Sequence, residues 1–334
     1  MPRIALTARL PEAAVRRLET AGMVVPSPHP GERLTRGELL QQVVGADAIV
    51  SMLYDRIDGE VMDAAGPNLD VVANVAVGYD NIDVTAASER AISVTNTPGV
   101  LTDATADLTM GLILAVTRRL GEGERLIRAE RPWQWELDFM LGDSLQGKTL
   151  GIIGLGQIGA AVARRARTFG MKIAYAARRP APQAIEQELS ARRYEFSELL
   201  AKSKVVSLHC PLTDETRHLI DAAALNAMAA DAYLINTARG PIVDEQALAA
   251  ALKSRSIGGA GLDVFEAEPR VTAALLDCEN LVVAPHLGSA TKETRLAMAM
   301  LAAENVAAAL AGEAIPTPVL DSDGRSAAVP TGGH

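Results

Sequence analysis

Short apolar runs alternate with amphipathic stretches along almost the whole chain. That alternation predicts an α/β architecture with parallel sheets. In the first hundred residues, Ile4–Thr7, Met23–Val25, Ala48–Leu53, Val71–Val75 and Ile92–Asn96 read as strands. Between them Glu12–Glu19, Arg36–Val44, Gly59–Ala65 and Val84–Arg90 carry apolar positions at helical spacing. Asp103–Arg119 reads as one long buried helix, and residues 121–147 as looser chain holding Trp133 and Trp135. A second series starts at Lys148, with strands Leu150–Ile153, Lys172–Ala176, Val205–His209, Ala232–Asn236, Gly259–Val264 and Leu281–Ala284. Lys292–Ala311 is a long Ala-rich helix, and Asp321–His334 is a polar tail expected to be disordered. The expectation is two doubly wound parallel-sheet domains. Ligands in such folds bind at the carboxyl ends of strands, so the expected active site is the cleft between the domains.

Composition narrows the function classes. A chain of 334 residues suggests about two domains. The net charge of −9 (32 basic, 41 acidic residues) argues against nucleic acid or an anionic membrane as the main partner. Cys210 and Cys278 build no disulfide framework, which points to a reducing compartment. The first residues enter a strand without a signal-peptide pattern, and no apolar run reaches membrane-spanning length; a cytoplasmic location is expected. His29, His209, His218, His286 and His334 show no ligand-like spacing, so no metal site is expected and a metal-dependent hydrolase is disfavoured.

The stretch Lys148–Gly159 runs strand into Gly154-x-Gly156-x-x-Gly159, and Ala160–Phe169 follows at helical spacing. Strand, glycine turn and helix in that order form a dinucleotide-binding unit. Gly154 permits the turn, Gly156 lets a pyrophosphate approach the backbone, and Gly159 lets helix and strand pack closely. The bland alternative is a tight turn without ligand. The second strand of such a domain usually ends in an acid that holds the ribose 2′-hydroxyl. Here it ends in Arg178-Arg179-Pro180, and the next acid, Glu186, lies too far along. Two guanidiniums suit a 2′-phosphate, which favours NADP(H) over NAD(H) as cofactor. A solvated arginine pair is the alternative.

Four further features close expected strands: Ala76–Asp80, Asn236–Gly240 with Arg239, Asp263–Pro269 with Glu268, and Pro285–Ser289 with His286. Each alone has a structural reading as a turn, a cap or a buried hydrogen-bonded histidine. Together, an arginine, a carboxylate and a histidine on successive strand ends of a nucleotide domain suit hydride transfer. Arginine holds a carboxylate and polarises a carbonyl, histidine supplies the proton, and the carboxylate orients the imidazole.

These residues give a resemblance. Asn74–Asp83, Asn96–Thr102, Gly151–Gly159, His209–Thr213, Asn236–Gly240, Gly261–Pro269 and Pro285–Thr291 together resemble the D-2-hydroxyacid dehydrogenase family, most closely its glyoxylate/hydroxypyruvate reductases. The resemblance runs from about residue 45 to 312. It implies a flavodoxin-like substrate domain of residues 1–99 plus 288–334 and a Rossmann domain of residues 100–287. It implies that Arg239 grips the 2-oxo acid, that His286 is the general acid, and that Glu268 pairs with His286. The N–H groups of Val77 and Gly78 would bind the substrate carboxylate, with Leu53 lining the pocket. Cofactor contacts would come from Thr105, Gly154, Leu155, Gly156, Gln157, Ile158, Gly159, Arg178, Arg179, His209, Cys210, Pro211, Thr216, Thr237, Ala238, Arg239, Asp263, His286 and Gly288. Family members are usually dimers joined through the cofactor domains. The arm with Trp133 and Trp135 then either fills that interface or brings Trp135 to the partner's substrate.

The expected function is NADPH-dependent reduction of glyoxylate and hydroxypyruvate to the 2-hydroxy acids. The alternatives are the same chemistry on 2-ketogluconate or an aryl pyruvate, and a nucleotide-sensing, corepressor-like binding protein. Intact Arg239, Glu268 and His286 speak against the last.

Overall fold

A computed structural model describes residues 1–320; the expected disordered tail Asp321–His334 lies outside them. In chain order the strands are β1 (Arg3–Leu6), β2 (Met23–Val25), β3 (Ala48–Ser51), β4 (Val71–Asn74) and β5 (Ser93–Thr95). Then come β6 (Thr149–Ile153), β7 (Lys172–Ala176), β8 (Arg192–Arg193), β9 (Val205–Leu208) and β10 (Tyr233–Asn236). The last are β11 (Gly259–Leu262), β12 (Leu281–Val283) and β13 (Pro318–Leu320). The chain divides into two compact units. One starts with Met1–Leu101 and resumes at Thr291, and the other is Thr102–Ala290.

The first unit holds a six-stranded sheet in the order β13-β5-β4-β3-β1-β2. Its five leading strands are parallel in the 2-1-3-4-5 order of a flavodoxin-like fold. Ala5, Ile49, Val72 and Val94 on the strands pack with Leu39, Val61 and Met62 from the helices Arg36–Gln42 and Gly59–Ala65. The parallel sheet expected here carries one antiparallel edge strand, because β13 joins β5 antiparallel. Thr317 secures it: its hydroxyl donates to Asn96 O at 2.7 Å, and its N–H donates to Asn305 Oδ1 at 3.0 Å. Pro316 and Pro318 mask the strand in the sequence, and an edge position tolerates proline.

The second unit holds seven parallel strands in the order β12-β11-β10-β9-β6-β7-β8. Numbered within the unit, this is the doubly wound 3-2-1-4-5-6 order extended by a seventh strand. Alternate side chains explain the near-continuous apolar runs. Leu150, Ile152, Val205, Tyr233 and Ile235 enter one core, and Ile153, Val206, Leu208 and Leu234 the core on the opposite face. Each such side chain, fully buried, contributes about 1.5–3 kcal/mol.

Two local expectations fail here. The long helix ends at Thr117, and a second helix, Leu120–Arg128, occupies part of the stretch read as loose chain. Gly121 and Gly123 weaken its propensity, but Arg119–Glu122 at 2.6 Å and Glu124–Arg128 at 2.6 Å pair along its face. The two-residue β8 was also missed, because exposed Arg192 and Arg193 carry no apolar signal.

Candidate active site

The turn after β6 shows three different demands on its glycines. Gly154 has φ +93°, and a Cβ there would lie 2.8 Å from the backbone of His209 and Cys210, which follow β9. The turn therefore packs at the switch point between β6 and β9. A Cβ on Gly159 would meet Gly154 O at 2.4 Å, so the third glycine serves helix–strand packing. A Cβ on Gly156 meets nothing within 4 Å. The fold itself does not demand glycine there, whereas a pyrophosphate close to the backbone does. Gly156 also caps the helix Gln157–Thr168 without a side-chain hydrogen bond, so the first-turn N–H groups face no side-chain acceptor at the cap. Leu155 is buried beside this turn.

Past β7, Arg178 and Arg179 are exposed on a turn held from both sides. The Tyr175 hydroxyl accepts the Ala181 N–H at 3.0 Å and donates to Glu186. Glu186 is thereby occupied by a tyrosine of its own unit. From β8, Arg193 Nη2 donates to Ala177 O at 2.9 Å, a support the sequence reading missed. The charge of Arg178 reaches the turn after β9. Burial pushes the Cys210 thiol up to about 11, against the pull of Arg178, and Glu215 is held low by its Thr213 hydrogen bond with help from Arg178. In the same turn Thr216 donates its hydroxyl to Pro211 O at 2.7 Å. His209 Nε2 lies 2.8 Å from Ser207 Oγ, and burial lowers its ring to about 4.

After β10, Asn236 builds the Arg239 turn. Its Oδ1 accepts the Ala238 N–H at 3.0 Å, and its Nδ2 donates to Arg239 O at 2.8 Å. Thr237 Oγ1 sits 2.9 Å from Thr109 Oγ1, whose hydroxyl also donates to Thr105 O at 2.8 Å. After β11, the Asp263 carboxylate accepts the N–H groups of Leu287 at 2.6 Å and Gly288 at 2.8 Å. Burial pushes this carboxyl up, against those two donors. The Asp263 carbonyl accepts the His286 N–H at 2.8 Å. His286 itself has φ +54°, in the left-handed region that is unusual for a residue with a side chain. Its Nδ1 lies 2.9 Å from Glu268 Oε2, and Glu268 Oε1 accepts the Phe265 N–H at 3.0 Å. Burial opposes charge on Glu268, but His286, the Phe265 N–H and Arg239 together outweigh it and hold the carboxyl below its usual range.

In the first unit, the turn after β4 is held by amides. Asn74 Nδ2 donates to Gly78 O at 2.9 Å, and Asn96 Nδ2 donates to Val77 O at 2.8 Å. Asn81 Nδ2 donates to Met52 O and Asp55 O, which fixes the half-buried Leu53 turn after β3. Among the described residues, no protein acceptor pairs with the N–H groups of Val77 and Gly78. Buried Asp55 takes the Met52 N–H and the Thr7 hydroxyl, and burial raises its carboxyl. Trp135 stays exposed in the arm after Arg128, while Trp133 stacks on Phe139 with centroids 6.1 Å apart. Among the described residues no cluster of side chains could hold a metal ion, and no helix is long and apolar enough to cross a membrane.

Comparison with known proteins decides the family. Residues 110–288 match the D-isomer specific 2-hydroxyacid dehydrogenase NAD-binding domain. The chain is 46% identical over 327 residues to a glyoxylate reductase of Thermococcus litoralis, covering 96% of this chain and 97% of that protein. This protein belongs to the D-isomer specific 2-hydroxyacid dehydrogenase family.

The dehydrogenase is an oxidoreductase, and its Thr102–Ala290 unit carries the family's NAD-binding domain. Its fold matches a solved Thermus thermophilus protein with TM-score 0.88 at 46% identity, covering 95% of this chain and 100% of that one. It also matches an NADPH-dependent glyoxylate/hydroxypyruvate reductase of Sinorhizobium meliloti, solved with NADP and malonate. There the TM-score is 0.83 at 36% identity, covering 98% of this chain and 99% of that one. Within this dehydrogenase the structure gathers Arg239, Glu268, His286, Asp263, Gly288, Thr105 and Thr237 by direct contact or shared turns. It adds Asn236 and Arg193, which only hydrogen-bond geometry reveals.

Proposed function

We propose that the protein reduces small 2-oxo acids, glyoxylate and hydroxypyruvate, to the corresponding 2-hydroxy acids with NADPH. The observation that carries this reading is the Glu268–His286 contact of 2.9 Å at strand ends of the dinucleotide unit. Glu268 holds Nδ1, so Nε2 is the nitrogen that delivers a proton to the substrate carbonyl oxygen. Arg239 grips the substrate carboxylate and polarises the carbonyl, and the N–H groups of Val77 and Gly78 hold the carboxylate. Gly154–Gly159 and the first turn of Gln157–Thr168 receive the pyrophosphate, and Arg178 and Arg179 the 2′-phosphate. When bound, the nicotinamide supplies the hydride that reduces C2. Support for NADPH comes from the exposed arginine pair, from the diversion of Glu186 to Tyr175, and from the similar Sinorhizobium meliloti reductase, which is NADPH-dependent, while relatives named as glyoxylate reductases support the substrate. The same reading makes the protein a homodimer joined through its nucleotide-binding domain, because Trp135, Leu137 and Leu141 leave the arm apolar and exposed.

Initial rates with glyoxylate and hydroxypyruvate, each with NADPH and NADH, test the proposal. Fast NADPH oxidation with either acid is the expected result. The double replacement Arg178→Ala with Arg179→Ala should raise the NADPH KM about tenfold or more, since each charge-assisted bond contributes about 1.5–3 kcal/mol. NADH kinetics should barely move. A native preference for NADH would overturn the arginine clamp, and no turnover with either acid would overturn the substrate class.

A further inference from the structure

We propose that Glu245 is a positioning residue, which fixes the loop carrying Glu268 and through it the imidazole of His286. The inference rests on the reading of Glu268 and His286 given above.

Glu245 opens the helix Glu245–Ser254 and is only 3% exposed. A carboxylate so buried is costly unless its oxygens are fully hydrogen-bonded. Glu245 meets that demand across 21 residues of sequence. Its Oε1 accepts the Glu266 N–H at 2.7 Å, and its own N–H donates to Glu266 Oε1 at 3.0 Å. Its second oxygen accepts the Thr272 hydroxyl. Two carboxylates thus exchange backbone donors, and one of them also holds the far end of the loop. Glu266 and Thr272 bracket Glu268, so a single buried side chain grips the segment on both sides of it.

The same place ties in the Arg239 turn. A Cβ on Gly240 would lie 1.9 Å from the Phe265 carbonyl carbon, so the residue after Arg239 presses on the backbone that starts the Glu268 loop. Phe265 in turn donates its N–H to Glu268 Oε1. His218 spans both turns as well, with its N–H on Pro241 O at 2.8 Å and its Nε2 3.2 Å from Glu266 Oε1. Among the described residues, Glu245 makes no side-chain hydrogen bond to a residue expected to meet substrate or cofactor. Its effect must pass through loop position, and misplacement on the order of 1 Å can cost roughly a hundredfold in rate.

The test uses the full chain with glyoxylate and NADPH. Glu245→Ala should lower kcat ten- to hundredfold while the NADPH Kd stays within about threefold. Glu245→Gln keeps an acceptor for the Glu266 N–H and should recover most of the loss. In the double variant with Glu268→Gln, the losses should not multiply, because both act through one contact. Wild-type kcat in Glu245→Ala, or multiplied losses in the double variant, would overturn the proposal. If Glu245→Ala does not fold, Thr272→Val and Glu266→Ala carry the test. Each should lower kcat several-fold without weakening NADPH, and unchanged kcat in both is the overturning result. Slow Glu268→Gln and His286→Ala with a normal Glu245→Ala would defeat this inference alone. Normal turnover in Glu268→Gln and His286→Ala would defeat the site reading beneath it.

Discussion

The turn after β4 in one unit and the turns after β11 and β12 in the other are held by different chemistry. After β4 the Val77–Gly78 turn hangs on neutral amides, Asn74 and Asn96. After β11 and β12 the turns hang on carboxylates: Asp263 on two N–H groups, Glu245 on the Glu266 loop, and Glu268 on His286. Both solutions satisfy backbone groups of the turns. They differ in the field they leave behind. An asparagine occupies carbonyls without adding charge, so the N–H groups of Val77 and Gly78 stay suited to an anion. Two unit charges 4 Å apart interact by about 4 kcal/mol at the effective dielectric near a protein surface. A carboxylate support beside an anion site would therefore work against it. Beside His286, the proposed acid, the same charge is useful.

The largest test of that contrast is at the charged pair. His286→Ala should lower kcat by roughly 10²–10⁴-fold, the usual worth of a positioned acid, with NADPH binding within about threefold. Comparable losses in turnover and in NADPH affinity would remove His286 from the acid's role.

A smaller effect should come from putting charge into the amide turn. Asn74 is fully buried. Asn74→Asp should raise the KM for the 2-oxo acid on the order of tenfold and lower stability by about 1–3 kcal/mol, since Gly78 O loses its donor. Asn74→Ala should show the stability loss with a smaller rise in KM. Equal KM changes in the two variants would mean that geometry, and not charge, sets the need for asparagine.

The smallest effect concerns acid stability. The Glu268 carboxyl lies below its usual range in the folded protein. Its contribution to stability is therefore fully present above the unfolded carboxyl value, about 4.3, and is lost as pH falls through the lower folded value. Denaturant melts of wild type and Glu268→Gln should differ at pH 6 and converge as the pH drops below about 4. A difference that persists unchanged into acid would mean that the pairing with His286 adds no stability.

Much of the fold is legible because apolar periodicity is a local property. The runs at Ile152, Val206 and Leu234 declare buried strands whatever surrounds them, and Gly154 followed by a helix declares the turn. The sequence by itself also placed Arg239, Glu268 and His286 on successive strand ends, since strand ends are where such a sheet exposes side chains to ligands. Where local signals conflict, sequence reading fails. Prolines hide β13, exposed arginines hide β8, and glycines hide the helix Leu120–Arg128 that i,i+3 and i,i+4 ion pairs support.

Tertiary structure alone decided which polar side chains are supports. Glu245 looks like an ordinary first-turn acid, and Asn74 and Asn96 look like loop residues. Their partners lie many residues away or are backbone groups whose direction depends on the packed turn. A hydrogen bond requires distance and angle together. The sequence specifies donors and acceptors, but only the folded chain brings a buried carboxylate to the two donors that make its burial tolerable.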